Sequence, residues 1–178
     1  MLALSDLGRR IMICGPSNSG KSTLALAIGR KIGVPAIHLD RFQHLPNTDW
    51  QPRPKTEFKE LHDAAILEDA WVMDGNYSWL MPQRLARATG IVLVSDNRWA
   101  NFGRYLRRTL FQPDRAGHLE GARDSLKWSM VRWILIASPE ALIRYRETLP
   151  AAGLPFVEAK SMPALRELYR DWGLPLPT

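Results

Sequence analysis

Residues 11–23 read Ile11-Met12-Ile13-Cys14-Gly15-Pro16-Ser17-Asn18-Ser19-Gly20-Lys21-Ser22-Thr23. An apolar run opens this segment, two glycines bound its middle, and apolar residues at helical spacing follow it. That order predicts a buried strand, a loop and the start of a helix. The loop matches the pattern G-x-x-x-x-G-K-[ST] at every fixed position, which predicts that it binds phosphate.

Each residue type in the loop has a physical role. Gly15 and Gly20 permit backbone angles that a side chain would forbid, so the chain can turn its N–H groups inward. These groups and the positive end of the following helix attract phosphate oxygens. Lys21 can reach the β- and γ-phosphates of a nucleotide, and the Ser22 hydroxyl can bind Mg²⁺. The residues predicted to bind the nucleotide are Gly15, Pro16, Ser17, Asn18, Ser19, Gly20, Lys21, Ser22 and Thr23.

The composition of the 178 residues is that of one globular domain. Apolar residues make up 46% and charged residues 24%, and no apolar run has the length of a membrane span. The single cysteine excludes an internal disulfide framework. The N-terminal segment lacks the basic-then-apolar order of a signal peptide. We therefore expect a single domain over residues 1–178, located in the cytoplasm and without a membrane partner.

The positive charge of the chain is concentrated in one segment. Residues 98–146 hold ten Lys and Arg against four Asp and Glu, a net charge of +6, which equals the net charge of the whole chain. The remainder holds fourteen of each sign and is neutral. We expect this segment to meet an anionic partner, either a polyphosphate or a nucleic acid.

The pattern beyond the loop alternates helices with short apolar runs. Further strands are predicted at 36–40, 71–74, 91–94 and 154–157. Helices are predicted at 21–32, 57–69 (with Thr56 as its N-cap), 82–88, 99–110, 122–137, 139–148 and 161–171, with a break at Ser138-Pro139. Such alternation gives right-handed crossovers and a sheet that is covered on both faces. We predict an α/β fold, namely a three-layer P-loop NTPase fold with a five-stranded, mainly parallel sheet.

Two longer segments interrupt this alternation, one after the second strand and one after the fourth. Both begin at the carboxyl ends of strands, which is the edge where ligands bind in sheets of this kind. We expect residues 41–69 to form the side of the site that receives an acceptor. We expect residues 99–148 to form an arginine-rich helical lid and the helices that follow it.

Two of the predicted strands end in an aspartate, Asp40 and Asp74. A carboxylate at such a position, beside a phosphate loop, holds Mg²⁺ or its waters. The alternative is a turn or cap residue, because Asp favours turns. Asp96 fits that alternative better, since Ser95 separates it from the fourth apolar run. We predict Ser22 and Asp74 as the metal ligands.

Arg104, Arg107 and Arg108 lie three and four residues apart and share one face of their predicted helix. Phosphoryl transfer needs positive charge beside the oxygens that become more negative in the transition state. The planar fork of arginine matches phosphate geometry. We predict that Arg104 and Arg108 contact phosphate; the alternative is a solvated basic helix.

Several stretches together resemble one known family. They are the phosphate loop at 15–23, His38-Leu39-Asp40, the run from Trp71 to Tyr77, Asn97-Arg98-Trp99 and Lys127-Trp128. The set resembles the bacterial DNA topology modulation proteins, which are similar in sequence to adenylate kinases. The resemblance implies an adenylate-kinase-like fold, an Asp40 that orients the acceptor and an Asp74 that organises Mg²⁺-bound water. It departs at residues 94–98, where the family's usual Leu-Asp-x-Pro-Arg is replaced.

Three functions are compatible with these features. The first is a kinase that uses ATP and Mg²⁺ to phosphorylate a small acceptor, such as a nucleoside monophosphate, with Lys21, Asp40, Arg104 and Arg108 as catalytic residues. The second is an ATPase or nucleotide-dependent switch. The third is a nucleotide-dependent regulator that binds DNA through its basic segment, although no nucleic-acid-binding motif supports it. We rank the kinase first; neither the acceptor nor the oligomeric state follows from the sequence.

Overall fold

The computed structural model of the chain describes residues 2–48, 50–111 and 128–176. At its centre lies a sheet of five strands in the order β2-β3-β1-β4-β5. The strands are β1 (Arg10–Cys14), β2 (Ala36–His38), β3 (Trp71–Asp74), β4 (Gly90–Val94) and β5 (Phe156–Ala159). Every neighbouring pair in the sheet is parallel, which confirms the predicted arrangement.

Helices connect the strands and cover both faces of the sheet. They are α1 (Lys21–Ile32), α2 (Leu39–Gln43), α3 (Lys55–Leu67), α4 (Met81–Arg87), α5 (Arg98–Phe111), α6 (Trp128–Arg132), α7 (Ser138–Thr148) and α8 (Met162–Asp171). Short 3₁₀ helices occupy Leu4–Leu7, Ser78–Leu80 and Pro150–Ala152, and a π-helical segment occupies Trp133–Ala137.

The three layers follow from the alternation of side chains along the strands. Ile11 and Ile13 of β1 pack into one core cluster with apolar side chains of α1 and α8. Met12 and Cys14 pack on the opposite face with apolar side chains of α3, α4 and α7. Because β2, β3 and β1 are parallel neighbours, their carboxyl ends lie side by side at one edge of the sheet.

The second strand is shorter than the sequence pattern predicts. β2 ends at His38, and the next residues form the short helix α2, so Asp40 lies in the first turn of a helix and not at a strand end. A short apolar run fits a strand and a buried helical turn equally well. Leu39 is fully buried in its helical position, which keeps Asp40 beside the sheet edge.

Two further boundaries differ from the predictions. The helix predicted to start after Thr56 begins at Lys55 and is preceded by Pro54, so Thr56 is not its N-cap. The fifth strand begins at Phe156 instead of residue 154. Pro155 precedes it, and a proline has no N–H for a ladder of hydrogen bonds.

The predicted lid is described only in part. α5 agrees with the predicted arginine-rich helix, whereas residues 112–127 lie outside the described ranges. The chain stays helical from 128 to 148, so the predicted break at Ser138-Pro139 is wrong. Pro139 comes directly after the π-helical segment Trp133–Ala137, so the regular helical hydrogen-bond pattern is already altered where the proline lacks its N–H. Among the described residues, no helix has both the length and the apolar content to cross a membrane.

Gly15 is the residue through which β1 enters the loop. Its φ angle is +142°, and a Cβ atom there would lie 1.9 Å from the carbonyl oxygen of Val94. That carbonyl belongs to the last residue of β4, so neither partner can move without disturbing the sheet. Glycine is therefore required where the loop leaves the sheet.

We predict that Gly15→Ala lowers the free energy of unfolding by about 2–4 kcal/mol, because the new methyl group overlaps a backbone carbonyl. Gly103→Ala is the matched control. A Cβ atom at Gly103 of α5 meets nothing within 4 Å, and alanine favours a helix by up to about 1 kcal/mol. Urea unfolding followed by circular dichroism compares the two variants, and equal stabilities would contradict the steric account.

Candidate functional site

The loop between β1 and α1 wraps around the amino end of that helix. Gly20 has a left-handed backbone with φ +89° directly before α1, and Asn18 has φ +63°. The conformation exposes the N–H groups of the first helical turn at the positive end of a twelve-residue helix. All nine residues predicted to bind the nucleotide, from Gly15 to Thr23, lie in this loop or in that turn.

Several polar groups of the loop are buried without a protein partner. The side-chain amide of Asn18 and the hydroxyl of Ser19 have no hydrogen bond among the described residues, and Ser19 is fully buried. Buried polar atoms of this kind are rare unless a ligand or water satisfies them. Together with the N–H groups at the amino end of α1, these buried polar groups fit a polyphosphate. The ammonium of Lys21 lies over the loop and donates to the Pro16 carbonyl at 2.7 Å.

Asp74 joins the loop to the neighbouring strands. Its Oδ2 accepts a hydrogen bond from the Ser22 hydroxyl at 2.6 Å, and its Oδ1 lies 2.6 Å from Nδ1 of His38. Asp74 and His38 are both buried, and they are register partners at the ends of β3 and β2. The predicted metal ligands Ser22 and Asp74 are therefore in contact. His38 is a partner that the sequence pattern does not predict.

Ser22 and Asp74 suit magnesium by the chemistry of their donor atoms. A hydroxyl and a carboxylate are hard oxygen ligands, and Mg²⁺ is commonly held by one or two protein groups together with phosphates and waters. Within the described part of the chain, no group of three or more His, Cys, Asp and Glu side chains could hold a metal ion. The pair thus fits a metal that is bound jointly with the nucleotide.

Arg84 of α4 holds the backbone that follows β3 through hydrogen bonds. This side chain is fully buried, and its guanidinium donates to the carbonyls of Gly75 (2.6 Å), Asn76 and Tyr77 (3.3 Å). Burial lowers the pKa of the guanidinium, but arginine keeps its charge in proteins. The sequence pattern does not single out Arg84, which lies in an ordinary-looking short helix.

Asp40 lies at the same edge of the sheet as the phosphate loop, and its side chain is exposed. The hydroxyl of Tyr77 donates to its Oδ1 at 2.6 Å. Burial raises the pKa of the Tyr77 hydroxyl, and the charge of Asp40 raises it further, so the phenol stays protonated and keeps donating. Tyr77 has φ +30°, an uncommon backbone angle for a residue with a side chain. A strained tyrosine therefore orients the predicted acceptor-side carboxylate.

Arg104 reaches the phosphate loop from the lid side. Its Nε donates to the carbonyl of Asn18 at 2.8 Å, and its second nitrogen pairs with Asp96 at 2.7 Å and contacts Asn101. Asp96, expected to be a turn residue, thus also holds this arginine. Arg107 is exposed, and the side chain of Arg108 lies outside the part that the structure describes.

Fold and loop together define the class: the chain has a three-layer α/β P-loop fold of the kind found in small kinases. A gluconokinase from Sinorhizobium meliloti 1021 has a similar structure, with a TM-score of 0.59 and 17% identity over 93% of this chain and 90% of that one. A shikimate kinase from Acinetobacter baumannii in complex with shikimate has a TM-score of 0.51 and 16% identity, and the match covers 93% of each chain. At these identities the likeness concerns the fold alone.

No protein-family model and no curated protein matches the sequence. The resemblance to the topology modulation proteins therefore stays an expectation, as does adenylate-kinase-like specificity.

We predict that Arg84→Met lowers the free energy of unfolding by about 3 kcal/mol or more, because three carbonyls after β3 lose a buried donor. Arg87→Met serves as the control in the same helix. Arg87 donates to the carbonyls of Ile66 and Leu67 only at 3.3 and 3.4 Å, so we expect its loss to cost about 1 kcal/mol or less. Chemical denaturation of both variants measures the difference, and similar losses would refute a special role for Arg84.

Proposed function

We propose that the protein is a phosphotransferase that moves the γ-phosphoryl group of ATP, with Mg²⁺, to an oxygen of a small acceptor, either a hydroxyl or the phosphate of a nucleoside monophosphate. The observation that carries the proposal is the Ser22–Asp74 contact under the phosphate loop, with the Asp40 carboxylate on the same sheet edge. The kinase names of the two structurally similar proteins support it at the level of reaction class. Nucleoside monophosphates and small hydroxylated metabolites are the acceptor classes that the proposal includes.

The donor side uses the loop and its helix. Backbone N–H groups of residues 17–22 hold the β- and γ-phosphate oxygens, and the Lys21 ammonium exchanges the Pro16 carbonyl for a phosphate oxygen. Ser22 and Asp74 would hold Mg²⁺ together with the phosphates, and the metal would supply positive charge beside the oxygens that become more negative during the transfer. Arg104, which already contacts the loop, adds a guanidinium from the lid side.

The acceptor side uses Asp40. Where the acceptor is a hydroxyl, the Asp40 carboxylate accepts its proton as the oxygen forms a bond to the γ-phosphorus. The bond between that phosphorus and the bridging oxygen breaks, and ADP leaves with the electron pair. The hydrogen bond from Tyr77 fixes one carboxylate oxygen, which leaves Oδ2 of Asp40 to face the acceptor. Exposure of Asp40 is consistent with a residue that meets a diffusing substrate.

A screen for ATP consumption against nucleoside monophosphates and hydroxylated metabolites tests the proposal. We expect ADP formation that depends on one acceptor class, and mass spectrometry should find the acceptor heavier by one phosphoryl group. Lys21→Met should reduce turnover about 100-fold or more, because it removes a cation beside the transferred group. ATP hydrolysis at one rate with and without every acceptor would instead indicate an ATPase.

Once a hydroxyl acceptor is identified, Asp40→Asn should lower kcat about 100-fold, since an amide accepts no proton. The Kd for ATP should stay unchanged. Asp171→Asn, at an exposed residue at the end of α8, is the control and should behave like the unaltered protein. Steady-state kinetics and calorimetry measure the two parameters. If Asp40→Asn had the same kcat as the unaltered protein, Asp40 would not be the group that accepts the proton.

A further inference from the structure

The side chain of Asn76 pairs with the backbone of Gly15 in both directions. Its Oδ1 accepts from the Gly15 N–H at 3.1 Å, and its Nδ2 donates to the Gly15 carbonyl at 2.9 Å. Gly15 directly follows β1, and Asn76 follows β3, the parallel neighbour in which Asp74 is the register partner of Ile13. The amide therefore continues the hydrogen bonding between the two strands past the point where their backbones separate.

This pairing acts at the residue where the phosphate loop begins. Gly15 has both a donor and an acceptor to satisfy, and its φ of +142° directs the chain out of the sheet. Among uncharged side chains, only the amides of Asn and Gln offer a donor and an acceptor side by side. The Asn76 amide thus fixes the orientation of the two peptide groups on either side of the Gly15 α-carbon.

The backbone at Asn76 is itself held by residues of α4 and α2. The buried guanidinium of Arg84 contacts its carbonyl and the carbonyl of Gly75. A Cβ atom on Gly75 would lie 2.8 Å from Cβ of Leu39, so the backbone approaches α2 closely. The position of Asn76 is therefore set by the core.

We propose that Asn76 is a positioning residue that fixes the entrance of the phosphate loop in the conformation that receives a polyphosphate. The ligand in this inference rests on the proposed function. Asn76 stands between Asp74, which contacts Ser22, and Tyr77, which contacts Asp40. One four-residue segment thereby sets the loop, the metal-side carboxylate and the acceptor-side carboxylate relative to one another.

The test compares Asn76→Ala and Asn76→Leu with the unaltered protein. Leucine keeps the branching and the number of heavy atoms of the side chain and removes both hydrogen bonds, so it separates their loss from the effect of a cavity. Ser78→Ala, at an exposed residue two positions later, is the matched control. Two measurements on the full chain are made: hydrogen exchange of the Gly15 amide by NMR without nucleotide, and the Kd for inorganic tripolyphosphate by calorimetry.

We expect both Asn76 variants to exchange the Gly15 amide about tenfold faster and to bind tripolyphosphate about tenfold more weakly, the effect of losing two neutral hydrogen bonds. Ser78→Ala should change neither quantity. An unchanged Kd in the Asn76 variants would overturn the inference while leaving the proposed function intact. If the unaltered protein binds no tripolyphosphate, the proposed function fails, and faster exchange alone would then make Asn76 a purely structural contact.

Discussion

The rest of the site depends on the two hydrogen bonds that Asp74 makes at the end of strand β3. One carboxylate oxygen faces Ser22 in the first turn of α1, and the other faces His38 on β2. A carboxylate bound on both sides has little freedom to rotate. Because Asp74 and its two partners come from three separate elements, this single side chain aligns the phosphate loop with the proposed acceptor side of the sheet.

Much of the fold follows from local sequence patterns, and so does the proposal for the donor half of the site. The loop from Gly15 to Ser22 is recognisable because its chemistry needs fixed residue types at fixed spacing. Asp74 is recognisable because it ends an apolar run beside a second glycine. The parallel sheet follows from the alternation of elements, and the structure confirms it. Each of these features can be interpreted from residues that lie close together in the sequence.

The residues that the patterns do not reveal act over long sequence separations. Asn76 meets Gly15, and Tyr77 meets Asp40, only after β1, β2 and β3 have come together. Arg84 looks like an ordinary helical arginine, because burial is a property of the assembled core. The mistaken strand end at Asp40 has a similar cause: tertiary packing of Leu39 decides between strand and helix where a short apolar run does not.

Arg84 also influences the electrostatic potential of the site. Burial raises the pKa of the Cys14 thiol, directly before the phosphate loop, and the charge of Arg84 opposes that rise, so the field of the guanidinium extends to the start of the loop. A cation enclosed by protein is screened by dissolved ions far less than one on the surface. Arg84 therefore contributes positive potential at the start of the loop, and this contribution should persist in concentrated salt, where that of the exposed arginines of α5 is lost.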